Sequence, residues 1–223
     1  MLSAVLFDID GTLVDTVDMH AEAWQRAFRA YGKHVDVATV RAQIGKGGDQ
    51  LMPVFLTPAE VAAFGAALDQ QRRELFMHEY LPHARAFPQV RDLVERLQRD
   101  GIKVALASST SPEELAYYMR LTRLNDLVDG ATSAEDADAS KPAPDIFAAA
   151  LARLGHPAPQ ATLVIGDSPY DALAAAQLGL RTIGVLCGGF PAQWLQDAGC
   201  MALYQDPADL LAQYDTWARG PMA

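Results

Sequence analysis

The stretch Ala4-Val5-Leu6-Phe7 is apolar without polar alternation, and it runs straight into Asp8-Ile9-Asp10-Gly11. Such a run, bounded by a turn residue, is what a short strand buried on both faces of a parallel sheet needs. Gly11 permits the sharp turn that follows. Comparable runs return at residues 102–107, near 128–131, at 162–165 and at 181–186, with helical stretches between them. Strand and helix taking turns in this way predict an α/β protein on a doubly wound, Rossmann-like parallel sheet with right-handed crossovers.

The segment between the first strand and the rest has another character. Asp15 and Thr16 can cap a helix over residues 17–31 that stops at Gly32, with Ala23, Ala27, Ala30 and Tyr31 on its apolar face. Helices are predicted over 37–43 and 49–56, on either side of the loop Ile44-Gly45-Lys46-Gly47-Gly48. Thr57-Pro58 with Glu60 then opens a long helix reaching about residue 80, Thr57 as the cap and Pro58 at the first helical position. No strand is expected from residue 16 to 80, and the segment reads as an antiparallel helical bundle. The expected organisation is a sheet core of residues 1–14 and 83–223, interrupted by an all-helical cap of residues 15–82. Further helices are expected over 89–100, from Ser111-Pro112-Glu113-Glu114, from Lys141 to about 154, and over 169–178.

Half of the 223 residues are hydrophobic, enough for a sizeable core. The formal net charge of -10 disfavours nucleic acid and anionic membranes as partners but leaves room for a small anionic substrate, which responds to local charge. Cys187 and Cys200 form neither a disulfide framework nor a metal-spaced cluster, and they suit a reducing cytosol. The first residues lack the basic region of a signal peptide, and no apolar run approaches the ~18 to 20 residues of a membrane span. A cytoplasmic protein, monomeric or weakly dimeric, is expected.

In an open parallel sheet the ligand lies outside the carboxyl ends of the strands. Three predicted strands end there in polar groups: Asp8 and Asp10, Ser108, and Asp167. Lys141 begins a helix in the same half of its unit, and Asp171 lies four residues past Asp167. Two carboxylates about 4 Å apart repel by roughly 4 kcal/mol at an effective dielectric of about 20, so the acids need a cation. Each residue also has a plain explanation. Ser108 can cap the helix at Pro112, Lys141 can be solvated, Asp167 can cap the next helix, and Asp8 and Asp10 can be turn residues. Together, four carboxylates, a hydroxyl and a lysine are what phosphoryl transfer through an aspartyl intermediate requires. A hard oxygen-ligand site suits Mg2+. Asp8 would attack phosphorus, and Asp10 would protonate the leaving oxygen and later deprotonate water. Ser108 and Lys141 would hold the phosphoryl oxygens, with backbone N–H groups near Ile9, Asp10 and Ser109 as an anion nest.

The motifs Asp8-Ile9-Asp10-Gly11-Thr12-Leu13-Val14-Asp15-Thr16, Ser108, Lys141-Pro142-Ala143-Pro144-Asp145 and Gly166-Asp167-Ser168-Pro169-Tyr170-Asp171 occur in the order of the haloacid dehalogenase-like hydrolase superfamily, which the chain resembles. The resemblance lies in the subgroup of phosphoglycolate phosphatases and beta-phosphoglucomutases with a helical cap. It implies Asp8 as nucleophile, Asp10 as acid/base, and Mg2+ ligation by Asp8, Asp167 and the Asp10 carbonyl. Asp171 is similar to the acid that orients metal-bound water. The helical insert resembles a mobile cap hinging near residues 14–16 and 80–84.

An acid at Asp10 points to phosphate esters, since a halide leaving group needs no proton and an alkoxide does. His20 and Trp24 share a face of the first cap helix. They read as a buried structural pair, or, by resemblance to the mutases, as a site where His20 meets Asp10. Lys46 sits in a glycine loop without P-loop spacing: it either reaches the far end of the substrate or belongs to a plain turn. The loop has no arginine for a second phosphate, and Gly166 stands where mutases tend to carry an acid. Both features favour a phosphatase of small phosphorylated metabolites, such as phosphoglycolate or a sugar phosphate, over a sugar phosphomutase. A phospho-aspartate receiver domain would gather similar groups, but is shorter, lacks the insert and phosphorylates a later strand.

Overall fold

The structure, a computed structural model, describes residues 2–219. In chain order it runs β1 (Ala4–Phe7), β2 (Val14–Asp15), α1 (Val17–Ala30), α2 (Val37–Arg41), α3 (Gly48–Phe55), α4 (Pro58–Glu60), α5 (Ala66–Leu75), β3 (Arg85–Ala86), α6 (Val90–Arg99), β4 (Lys103–Ala107), α7 (Pro112–Thr122), β5 (Gly130–Thr132), α8 (Asp145–Arg153), β6 (Thr162–Gly166), α9 (Pro169–Ala176), β7 (Arg181–Val185), α10 (Ala192–Asp197), β8 (Cys200–Tyr204), α11 (Pro207–Ala212) and α12 (Tyr214–Ala218). Six strands form one parallel sheet in the order β5-β4-β1-β6-β7-β8.

The alternation of side chains along β1 explains the layers. Val5 and Phe7 face a core completed by Leu93, Val94 and Leu97 of α6, Tyr118 of α7 and Trp217 of α12. Ala4 and Leu6 face the other side, against Ile146, Phe147 and Ala150 of α8 and Ala174 and Ala175 of α9. Helices therefore cover both faces, as a strand apolar on both sides demands. A third cluster, including Val17, Trp24, Phe28, Leu51 and Leu68, draws all its buried residues from 17–68.

Thr57 and Glu60 form the expected capping box, and the helix it opens continues through π-helical turns at Val61–Gly65 and Phe76–Tyr80. Four boundaries differ from expectation by two residues or more, one being α9, which ends at Ala176 and not at 178. Helix α2 stops at Arg41, ahead of the turn into Gly45 (φ +101°). Helix α8 begins at Asp145, not Lys141, because Pro142 and Pro144 offer no N–H and disfavour helix in the residue before each. The strand expected near 128–131 lies at Gly130–Thr132. Also unanticipated is the antiparallel ribbon in which Val14 pairs with Ala86 and Asp15 with Arg85. Among the described residues, no helix is long and apolar enough to cross a membrane.

Candidate active site

Register brings the site together. Phe7 of β1 pairs with Leu106 of β4 on one side and Ile165 of β6 on the other, so the chain past each strand emerges at one edge. Asp8 follows β1, its amide donating to the Ile165 carbonyl at 2.9 Å; Ser108 follows β4; Asp167 follows β6. Lys141, on the loop before α8, reaches in with 1% of its surface exposed. Its Nζ lies 2.5 Å from Asp8 Oδ1 and 2.8 Å from Asp171 Oδ1, and donates to the Ala107 carbonyl at 3.1 Å.

Asp8, Asp167 and Asp171 offer carboxylate oxygens within 4.8 Å of one another. Three buried carboxylates face one ammonium, a surplus of negative charge. Burial pushes the Asp8 carboxyl up to about 7 against the pull of Lys141, with Asp171 and Asp10 adding to the push. Asp167 is raised well above the carboxylate range by burial and then by Asp8. Burial works against the Lys141 charge, but Asp171 and Asp8 outweigh it and hold the amine protonated. A divalent cation on oxygen ligands fits this donor set. The backbone also leaves space around Asp167: a Cβ at Gly11 (φ +81°) would fall 2.3 Å from its Oδ2, and one at Gly188 would fall 1.7 Å away.

Asp171 has a second function. Its Oδ2 accepts from the Ser168 amide and hydroxyl, completing a capping box at the start of α9, while Oδ1 faces Lys141. Ser168, and not Asp167, therefore caps that helix, and Asp167 is left to the cluster.

The Asp10 carboxylate has partners of its own. Its Oδ1 accepts from Thr16 Oγ1 at 2.6 Å and lies 3.0 Å from His20 Nε2. His20 stacks on Phe76 at 3.8 Å between ring centres, and the Tyr118 hydroxyl is 3.4 Å from its Nε2. Burial pushes Asp10 up, but His20 and the hydroxyls of Thr16 and Tyr118 hold its carboxyl below the usual value. His20 is thus both a packed ring and a partner of Asp10.

A pocket lies over these groups. Asp8, Asp10, Ser108, Ser109 and Lys141 line it from the loops of the parallel sheet, and His20, Trp24, Lys46 and Arg72 from the segment between β2 and β3. Ser108 Oγ accepts from the Thr110 amide, while Ser111 caps α7. Lys46 Nζ donates to Gln43 Oε1 at 2.6 Å and sits 4.7 Å over the Tyr170 ring. The Ile9 side chain is in the core, and its carbonyl accepts from the amides of Thr12, Leu13 and Val14.

Four residues that the sequence did not single out belong to this arrangement. Thr12 Oγ1 lies 3.0 Å from Asp8 Oδ2 and 3.3 Å from Asp167 Oδ1, joining the two acids. Tyr118, Arg72 and Glu114 are the others; each occupies a helix position that reads as core, solvated face or cap.

The model of the haloacid dehalogenase-like hydrolases matches residues 2–179. A phosphorylated carbohydrates phosphatase of Thermotoga maritima is 29% identical over 94% of this chain and 97% of its own. Validoxylamine A 7'-phosphate phosphatase of Streptomyces hygroscopicus subsp. limoneus is 30% identical over 83% of this chain and 86% of its own. The crystal structure of a hydrolase from Pseudomonas syringae superposes with a TM-score of 0.87 at 28% identity, over 97% of this chain and 99% of that one. Strand order, motifs and relatives agree: the chain is an enzyme and belongs to the haloacid dehalogenase-like hydrolases.

Proposed function

We propose that this hydrolase is a Mg2+-dependent phosphatase of small phosphate monoesters that works through an aspartyl-phosphate on Asp8. The observation that carries the reading is the division of labour between two acids two residues apart. Asp8 sits in a surplus of buried carboxylates beside Lys141, while Asp10 is held by Thr16 and His20. In the first step an Asp8 oxygen bonds to phosphorus as the ester P–O bond breaks, and the departing alkoxide takes a proton through Asp10, which its partners keep ionised at rest and which would have to draw that proton from His20, 3.0 Å away. In the second, water attacks the same phosphorus, Asp10 takes its proton, and the Asp8 carboxylate is released with inorganic phosphate. Lys141 and the Ser108 hydroxyl meet charge building on the phosphoryl oxygens. Asp8 and Asp167, with the Asp10 carbonyl, would hold Mg2+, which supplies the charge that lets an anionic carboxylate approach an anionic phosphate. Asp171 is a positioning residue for Lys141.

The residue 15–82 cap, closing about the ribbon of β2 and β3, would exclude water from the pocket. Gly166 supports a phosphatase over a mutase, since a Cβ there would stand 2.5 Å from Asp171 Cγ and leave no room for a longer side chain. The activities named for the Thermotoga and Streptomyces relatives support the same class.

The test is Asp8→Asn with Mg2+ and a panel of phosphate esters. Turnover is expected to drop by more than about a thousandfold with the thermal unfolding curve still cooperative, given how slowly such esters hydrolyse uncatalysed. A smaller loss would remove the covalent step.

A further inference from the structure

Three buried polar atoms on the pocket wall have no hydrogen-bond partner: Arg72 Nε, Glu114 Oε1 and Ser109 Oγ. They come from three separate elements: α5 of the cap, α7 of the core and the loop after β4. Arg72 is 8% exposed and Glu114 2%. The other ends of both charged groups are engaged, apart from Arg72 Nη1. Arg72 Nη2 donates to Asp69 Oδ1 at 2.8 Å, and the guanidinium lies 4.8 Å over the Trp24 ring. Glu114 Oε2 accepts from the Ser111 amide at 3.1 Å and from the Thr110 hydroxyl. The idle atoms are therefore those left over once packing and capping are satisfied. Arg72 Nη1 and Glu114 Oε1 stand 3.9 Å apart, beyond direct hydrogen bonding.

The chemistry of the three atoms narrows what meets them. Arg72 Nε only donates, Glu114 Oε1 only accepts, and a serine hydroxyl does either. A carboxylate or phosphate would satisfy Arg72 but leave Glu114 idle and set like charge against it. An ammonium would satisfy Glu114 and oppose Arg72. A hydroxyl both gives and takes. Nor are the cap arginines spare for a second anion, since Asp69 holds Arg73 at 2.8 Å as well as Arg72.

We propose that Arg72, Glu114 and Ser109 form the subsite for the hydroxyls of a sugar or polyol phosphate, and that Glu114 turns away leaving groups carrying a second anion. This rests on the phosphatase reading of Asp8 and names its substrate class.

The experiment measures kcat/KM with Mg2+ for ribose 5-phosphate and glycerol 1-phosphate against phosphoglycolate and pyrophosphate, with p-nitrophenyl phosphate as an ester without hydroxyls. Wild type is expected to favour the polyol phosphates by at least about 10-fold, and Glu114→Gln to shift that ratio at least about 10-fold towards phosphoglycolate, in line with sites built to bond a substrate hydroxyl. Glutamine is accepted at the third position of a capping box, so α7 keeps its start. Should Glu114→Gln fail to fold, Ser109→Ala carries the same test, with an expected loss on the polyol esters that exceeds any loss on p-nitrophenyl phosphate. Preference for phosphoglycolate or pyrophosphate, or a ratio that neither substitution moves, overturns the subsite. If p-nitrophenyl phosphate is still cleaved in that case, the phosphatase reading stands; if no ester is cleaved, both fall.

Discussion

Lys141 touches Asp8, Asp171 and a backbone carbonyl from a position almost without solvent. Lys141→Ala would strand buried carboxylates, so unfolding in denaturant is expected to show a loss of about 3–5 kcal/mol, the range for breaking one side of a buried pair. Gly188→Ala acts on Asp167 instead, by placing a methyl group 1.7 Å from its Oδ2. If Asp167 holds Mg2+ as proposed, titration calorimetry is expected to show the ion's affinity reduced about 10- to 100-fold. At this scale the sequence was informative where a residue type is unusual for its place, such as paired acids ending an apolar strand. Thr12 was in plain view within the first motif, but a threonine in a turn carries no mark of the two carboxylates it joins. Tyr118 was hidden for another reason, since an aromatic on an inward helix face looks the same whether or not its hydroxyl meets a histidine.

Capping boxes were the most legible elements, because the physics that starts a helix is local and spelled in four residues. Thr57→Ala, away from the pocket, is expected to cost about 1 kcal/mol and to lower the melting temperature by about 2–4 °C. The ribbon of β2 and β3 could not be read, for two-residue strands have no period. The π-helical turns at Val61–Gly65 and Phe76–Tyr80 were equally silent. Helix α5 also carries a pH signature. Burial pushes the Asp69 carboxyl up, but Arg72 and Arg73 more than offset it and hold it below 3.8. A depressed folded-state value contributes stability that is complete above the unfolded-state pKa and disappears as pH falls through the folded one. Asp69→Asn is therefore expected to flatten the acid limb of thermal stability below about pH 4, as scanning calorimetry across that range would show.

The helices between β2 and β3 meet the loops of the parallel sheet and the start of α9 through polar contacts. Arg41 donates to the carbonyls of Gly188 at 2.8 Å and Gly189 at 3.3 Å, the Tyr170 hydroxyl donates to the Ala42 carbonyl at 2.6 Å, and the Ser140 amide donates to Asp49 Oδ2 at 3.1 Å. None of these pairs was visible in the sequence, since each joins residues at least 91 positions apart. The parallel sheet was visible, because unalternated apolar runs leave few other places to put a strand. Arg41→Ala is expected to speed amide exchange across residues 41–50 and to raise KM by roughly tenfold, the equivalent of about 1.4 kcal/mol.

Because Val14 faces Ala86 and the Phe87 amide donates to the Leu13 carbonyl at 3.0 Å, the excursion that begins after β1 returns to the spot where it left. Anything spliced between those two points, of whatever length, would leave the pairing of the central strand untouched. The helical wall is therefore tethered to the central strand at one short seam, with His20 as its reach into the reacting groups.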